Sequence, residues 1–263
     1  MTRIVWDRVG DRVYEGGISK GVLHLTNGES VPWNGLKSVS QKVNNTTKPI
    51  YFDGVRVNNY VDLGDFSGTI TAITYPEEMS AVEGLASFSR GSYVGNQQPE
   101  LFNLSYVTNV GTDLTADKGY KIHLLYNLTA IPSDKSYASF DSSFKTTDFT
   151  WEVHAVPEEV AGFRPTAEFV FDSRKVTAEF LGILEDLIYG TDLKRPNFPT
   201  VNELTDLILQ YFILEIIDNG NGTWTATTSF DDLIIMESLT EFTIQDIEAT
   251  YLSDTLYEVS SNR

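Results

Sequence analysis

Cysteine is absent from all 263 residues, which removes disulfides, thiolate metal sites and cysteine nucleophiles together. Histidine is nearly absent: His24, His123 and His154 are the whole complement. They are far apart, and none has the i, i+4 partner or the adjacent carboxylate of a zinc helix, so each reads as a strand residue. No stretch approaches the roughly 18 apolar residues that a membrane span requires. The opening Met1-Thr2-Arg3-Ile4-Val5-Trp6-Asp7 has no apolar run behind its basic residue, so no secretory signal is expected and folding in the cytosol is. The sequons at Asn44, Asn45, Asn103, Asn127 and Asn221 then read as chance products of strands rich in Asn, Ser and Thr. Gly-rich phosphate loops are missing as well.

Positive charge is scarce, and unevenly so. The formal net charge is -18, built from +3 over residues 1–60, -5 over 61–130, -5 over 131–200 and -11 over 201–263. Such acidity disfavours binding to anionic membrane surfaces and a tight phosphate-gripping groove. The gradient has two readings. A subunit that stacks head to tail on copies of itself can use opposite charge at opposite ends for attraction and polarity; a solubilising acidic face that falls late in the sequence would give the same counts.

What is present points to β structure. Hydrophobic residues at 41% and aromatics at 12% are in the globular range, and the length fits one large all-β domain or two small ones. Period-two alternation dominates to about residue 170. Residues 21–25 read as a strand ending at Asn27-Gly28. Residues 66–75 alternate Phe66, Gly68, Ile70 and Ala72 against Ser67, Thr69 and Thr71. Residues 101–108 place Phe102, Leu104 and Tyr106 inward, residues 119–127 follow as a hairpin partner, and 149–154 form another strand stopped by Pro157. Many short strands separated by turns imply a sandwich or barrel.

Residues 37–65 differ in character. Three Lys, one Arg and the pair Asn44-Asn45 read as a long exposed loop or an extended hairpin, and Tyr51-Phe52 beside the Asp53-Gly54 turn gives it the means to dock. An amphipathic helix is expected over about 174–189, with Phe180, Leu181, Leu184, Leu187 and Ile188 on one stripe and Gly190 as its stop. A second, shorter helix starts at Thr200, where Thr200 and Glu203 make a capping box. Strands return at 212–217 and 223–228 around the Asp218-Asn219-Gly220-Asn221-Gly222 turn, then at 241–251 and 256–259. A helix and four short strands would have a thin core alone, so residues 206–263 are expected to complete or flank the first sheet.

The chemistry-bearing patterns are weak. Gly17-Ile18-Ser19-Lys20-Gly21 matches the G-x-S-x-G nucleophile elbow, which must join a strand to a helix, but here it leads into a strand. The 218–222 turn departs from a calcium loop, with Gly220 at the third position and Ser229 at the twelfth. The acid pairs Glu77-Glu78, Glu158-Glu159 and Asp231-Asp232 are adjacent, so on a strand they point to opposite faces and cannot flank one glycosidic bond. Trp33, Tyr75, Trp151 and Trp224 read as core. No catalytic, metal or cofactor residue emerges, and no enzyme activity is expected.

Several segments, taken in order, carry a resemblance. They are Trp6-Asp7, Tyr14-Glu15, Gly21-Val22-Leu23, Val31-Pro32-Trp33-Asn34-Gly35-Leu36, Tyr51-Phe52-Asp53-Gly54 and Ile73-Thr74-Tyr75-Pro76-Glu77-Glu78. Ser105-Tyr106-Val107-Thr108, residues 119–127, Leu187-Ile188-Tyr189-Gly190-Thr191 and Phe198-Pro199-Thr200 continue the set. Over about residues 1–205 the chain resembles the major tail tube proteins of long-tailed, siphovirus-type bacteriophages, particularly those infecting actinobacteria. The resemblance implies a β-sandwich or barrel with a packed helix in a domain over 1–205, and subunits closing into hexameric rings that stack into a hollow tube. That tube conducts DNA, assembles in the host cytoplasm around a tape-measure protein, and joins tail tip and neck proteins in the virion tail. Residues 1–15 match the family's arm and residues 37–65 its long loop, both of which contact neighbouring rings.

On that footing the expected contacts between rings are Arg3, Trp6, Arg8, Arg12, Lys42, Lys48, Tyr51 and Arg56, and the expected lumen-facing residues are Ser67, Thr69, Thr71, His123 and Asn127. A negative wall repels phosphates where a basic wall would trap them, so net acidity suits a conduit through which DNA must slide. A monomeric β-sandwich binding or adhesion module is the alternative from another class, and a hydrolase using Ser19 is the third.

Overall fold

A computed structural model describes residues 6–10, 12–42, 46–53, 55–62, 66–115, 118–134, 148–160, 163–218, 224–228, 241–244, 247–253 and 256–261. The chain is mainly β. Its elements are β1 (Val13–Leu25), β2 (Ser30–Pro32), β3 (Leu36–Lys42), β4 (Thr46–Phe52), β5 (Val55–Asp62), β6 (Ser67–Ala72), α1 (Met79–Val82), β7 (Ala86–Ser89) and β8 (Ser92–Val94). There follow β9 (Phe102–Thr112), β10 (Gly119–Pro132), β11 (Phe149–Ala155), β12 (Glu168–Asp172), α2 (Ala178–Tyr189) and α3 (Val201–Phe212). Last come β13 (Ile213–Asp218), β14 (Trp224–Thr228), β15 (Glu241–Ile244), β16 (Ile247–Ser253) and β17 (Leu256–Ser261). Two compact units result, residues 1–157 with 167–198, and residues 158–166 with 199–263.

In the first unit an eight-stranded antiparallel sheet runs β2-β1-β9-β10-β11-β6-β3. One edge of β10 is shared: its residues 121–125 pair with β12 and its residues 128–132 with β11. The sheet curls until β3 approaches β1. The Trp33 N–H donates to the Gly21 carbonyl at 2.8 Å, and a Cβ at Gly21 would stand 2.8 Å from Leu36 Cδ2, so a side chain there would displace the end of Leu36.

Alternation fills the curl. Leu23, Leu25, Ile70, Ala72, Phe102, Leu104, Tyr106, Trp151 and Val153 form one buried cluster, plugged by Met79 and Val82 of α1. Burial of each large member contributes about 1.5–3 kcal/mol. Leu125, Leu128 and Ala130 share that cluster although an odd position cannot share a face with even ones in a regular strand. The break lies between Leu125 and Leu128, where three steps on β10 oppose two on β9. Asn127, at φ 50°, is the inserted residue, and Asn tolerates this left-handed region better than most side chains.

The opposite face of β9 and β10 is also buried at Val107, Ile122, Leu124 and Tyr126. Helix α2 contributes Phe180, Leu181, Leu184 and Ile188, and its Phe180 meets Phe171 of β12 with ring centroids 5.6 Å apart. Thr177 caps the helix by accepting from the Phe180 N–H at 3.3 Å, a contact worth about 1 kcal/mol. Gly190, at φ 76°, ends it. The helix begins at Ala178 rather than about 174 because Asp172 organises the preceding turn, accepting the Arg174 and Lys175 N–H groups.

Residues 37–65 are more ordered than a loop. The first part is β3, an edge strand of the main sheet paired with β6. Residues Thr46–Phe52 and Val55–Asp62 pair as the extended hairpin β4–β5, in which Phe52 opposes Val55 and Asp53 has φ 48°. A second hairpin, β7–β8, had no clear alternation and was not expected.

In the second unit the capping box forms as the sequence implies: Thr200 N–H donates to Glu203 Oε2 at 2.8 Å and Glu203 N–H to Thr200 Oγ1 at 3.2 Å. Val201, Leu204 and Ile208 make the buried stripe of α3. The late strands form their own five-stranded sheet, β13-β14-β17-β16-β15, rather than completing the first one. The stretch 241–251, expected as one strand, holds parts of two paired strands, β15 and β16, in which Ile244 opposes Ile247.

Candidate functional site

The residues expected at contacts between rings occupy three places. On the arm, Trp6, Arg8 and Arg12 are exposed, and Arg12 Nη2 lies 3.2 Å from Asp7 Oδ1. Arg3 lies outside the described residues. The arm is tied down by Asp113, whose Oδ1 accepts from the Gly10 N–H at 2.8 Å and whose own N–H donates to the Arg12 carbonyl.

Lys42 ends β3, where its Nζ sits 2.6 Å from Glu152 Oε1. The hydrogen bond from that ammonium holds the Glu152 carboxyl below the usual range. Lys42 is thus neutralised within its own sheet. Lys37 is engaged likewise, 2.6 Å from Asp148.

The third place is the hairpin. Lys48, Tyr51 and Arg56 are exposed on β4–β5, with Tyr51 directly opposite Arg56. Around them stand Ile50, Phe52, Val55 and Val57, the last three each more than half exposed. Two-stranded hairpins are marginal alone in water, and clustered exposed apolar side chains are a common feature of binding surfaces.

The expected lumen residues fare differently. Thr69 and Thr71 are half-buried and sit on the face opposite Ile70 and Ala72, as alternation requires. Ser67 is 3% exposed, so it is an interior residue of this unit and not part of an open wall. Asn127 is half-buried and structural: its N–H donates to Asn103 Oδ1 at 2.8 Å and its carbonyl accepts from the Val156 N–H.

His123 is also interior. Its ring stacks flat on Tyr106, directly opposite on β9, with centroids 4.6 Å apart and planes 1° from parallel. Nε2 is 3.0 Å from Thr108 Oγ1, and Nδ1 is 3.2 Å from Glu168 Oε1. Glu15 accepts from Lys121 and from Thr108. Burial pushes its carboxyl up, but these bonds outweigh it and leave the group below its ordinary value. Gln41 Nε2 donates to Glu168 at 2.5 Å. Burial, reinforced by the Glu168 charge, raises the Tyr106 phenol.

Glu15, Gln41, Tyr106, Thr108 and His123 line a cavity of about 410 Å³ with Lys37. The cluster ties β1, β3, β9, β10 and β12 together at one mouth of the curl. No local motif could have revealed it, because its carboxylates arrive from strands distant in sequence.

The remaining patterns take structural places. Gly17-Ile18-Ser19-Lys20-Gly21 lies inside β1, so Ser19 is not at a strand-to-helix elbow. His24 is buried, with Nδ1 2.7 Å from Ser30 Oγ and Nε2 2.9 Å from Ser105 Oγ. Among the described residues no helix is long and apolar enough to cross a membrane.

Neither a family model nor a curated protein matches the chain. Among solved structures it is similar to a chain of the sheath-tube complex of an extracellular contractile injection system, PVC, in its extended state, with 15% identity over 58% of this chain and 88% of that one at a TM-score of 0.33. It is similar also to a chain of the anti-feeding prophage cap, which terminates the tube, with 15% identity over 66% of this chain and 97% of that one at a TM-score of 0.33.

Proposed function

We propose that the chain is a self-assembling structural subunit of a phage tail tube of the siphovirus type, forming hexameric rings that stack head to tail around a DNA conduit. The observation that carries this is the β4–β5 hairpin, which holds Ile50, Tyr51, Phe52, Val55 and Val57 exposed beside Lys48 and Arg56. A second copy of the chain supplies both an apolar cover and, with its net charge of -18, an acidic complement. The ordered set of segments that resembles the tail tube family supports the same reading. Heterologous contacts of this kind generate rings where the rotation closes and open stacks where it does not.

In this reading Trp6, Arg8, Arg12, Lys48, Tyr51 and Arg56 meet the next ring, and Thr69 and Thr71 remain candidates for the channel wall. The net acidity keeps phosphates from sticking. A tape-measure protein inside the tube and tip and neck proteins at its ends are the further partners, in a virion tail assembled in the host cytoplasm. Light scattering of the purified protein across concentration tests it: mass must rise above one subunit in discrete steps, and a strictly monomeric protein at every concentration would instead favour the binding-module alternative.

A further inference from the structure

We infer that the N-terminal segment ending at Gly16 exchanges between copies of the chain, each arm seating on β9 of a second copy in the register it holds on its own. The inference rests on the tube-subunit reading and specifies how copies are linked.

A hinge for such an exchange is built into β1. Between the pairs Gly16↔Asn109 and Val22↔Ser105, β1 takes six steps while β9 takes four, with only Ser19↔Val107 between them. The two surplus residues are absorbed in left-handed backbone at Gly17, φ 74°, and Lys20, φ 49°. Hinges are short stretches of this kind, in which a few dihedrals absorb the change of direction.

The two sides of the hinge are held differently. Beyond it, Val22 to Leu25 are buried in the curl of the sheet. Before it, Val13 to Gly17 are exposed; its side-chain hydrogen bonds are Asp113 on Gly10, and Thr108 and Lys121 on Glu15, and the half-exposed Tyr14 ring lies against Gly111. Segments with little buried apolar area open locally at a fraction of the global stability. Every contact so broken is remade without change on a second copy, because the seat is identical, which is why exchange is a low-cost route between protomers.

The arm's own surface says what it gains. Trp6 and Val9 are each 74% exposed, and Val13 and Tyr14 each 51%. Seated on its own chain, the arm leaves these four apolar side chains in water. Seated across to a second copy, it lies where two copies meet, and that junction supplies their cover.

The absence of native cysteine makes the test clean. Gly16→Cys and Asn109→Cys are placed opposite each other on β1 and β9; an added Cβ at Gly16 meets nothing within 4 Å, and Asn109 is exposed. The two single variants are mixed, assembled and oxidised, and the double variant is oxidised before assembly in a parallel sample. Exchange predicts a mixed disulfide at twice the subunit mass from the assembled mixture. It also predicts that the double variant, locked within its own chain, fails to assemble until reduced. Particles that form from the locked variant, or a mixture that assembles without the mixed disulfide, overturn the exchange and leave the tube reading intact. Failure of the reduced proteins to assemble at any concentration overturns both.

Discussion

The Trp151 indole meets the Trp33 indole edge to face, with centroids 5.4 Å apart and planes at 76°. Trp151 Nε1 donates to Glu83 Oε1 at 2.7 Å, and Trp33 Nε1 donates to the Thr74 carbonyl at 2.9 Å. The pair joins β11 to the segment after β2 and so fixes the curl of the main sheet. Trp151→Ala should lower stability by about 3–5 kcal/mol. Trp151→Phe, which keeps the ring and loses the donor, should lose about 1–3 kcal/mol. Urea unfolding checks both, as a fall in midpoint at unchanged slope.

His24 makes stability depend on pH. Burial lowers its pKa from 6.5 to about 3, so between those values the unfolded chain binds a proton that the folded chain refuses. Stability therefore falls as pH drops from about 6.5 toward 3, with a contribution from this residue of up to about 1.4 kcal/mol per pH unit. His24→Gln, which cannot titrate, should flatten that part of the curve. Thermal or urea midpoints taken at half-unit pH steps read the difference, and superimposable curves for the two proteins would refute the assignment.

Asn127 separates a structural residue from a channel-lining one. Its φ of 50° and its bulge set the alternation that turns Leu128 and Ala130 inward. Asn127→Val should be less stable than Asn127→Gly by about 1–2 kcal/mol, because a β-branched side chain resists the left-handed region. Chemical denaturation of the isolated subunit distinguishes them, and equal stabilities would remove the bulge argument.

Lys48 on the hairpin and Lys42 at the end of β3 should respond differently to reversal. Lys42 already has Glu152 at 2.6 Å, so Lys42→Glu acts first within the sheet by setting two carboxylates against each other. Lys48→Glu should weaken self-association at low salt and leave the stability of the free subunit within about 0.5 kcal/mol of the parent. Sedimentation velocity at two ionic strengths measures this, and unchanged association at low salt would remove the hairpin from the interface.

The parts of this fold that follow from nearest neighbours were open to reading. Alternation at 66–75 and 101–108 yields β6 and β9, the stripe at 180–188 yields α2, and Thr200 with Glu203 yields the start of α3. What could not be read depends on chain segments distant in sequence. Strand β12 has only five residues and is recognisable only through its pairing with β10. Alternation placed His123 on a wet face, because the strands that cover it, β1 and β12, bring Glu15 and Glu168 from far along the chain. Ser67 was misplaced because it is buried between β3 and β11, its two neighbours in the sheet. The separate sheet of β13 to β17 depends on the β14–β17 pairing, and the Gln245-Asp246 step inside 241–251 is too weak a turn signal to split that stretch in advance.

Electron microscopy of the purified protein over a concentration series tests the central claim most directly. The account predicts end views of six-fold rings with an open centre, and side views in which those rings stack into tubes. Single particles of subunit size at every concentration, or closed assemblies without a channel, would contradict it.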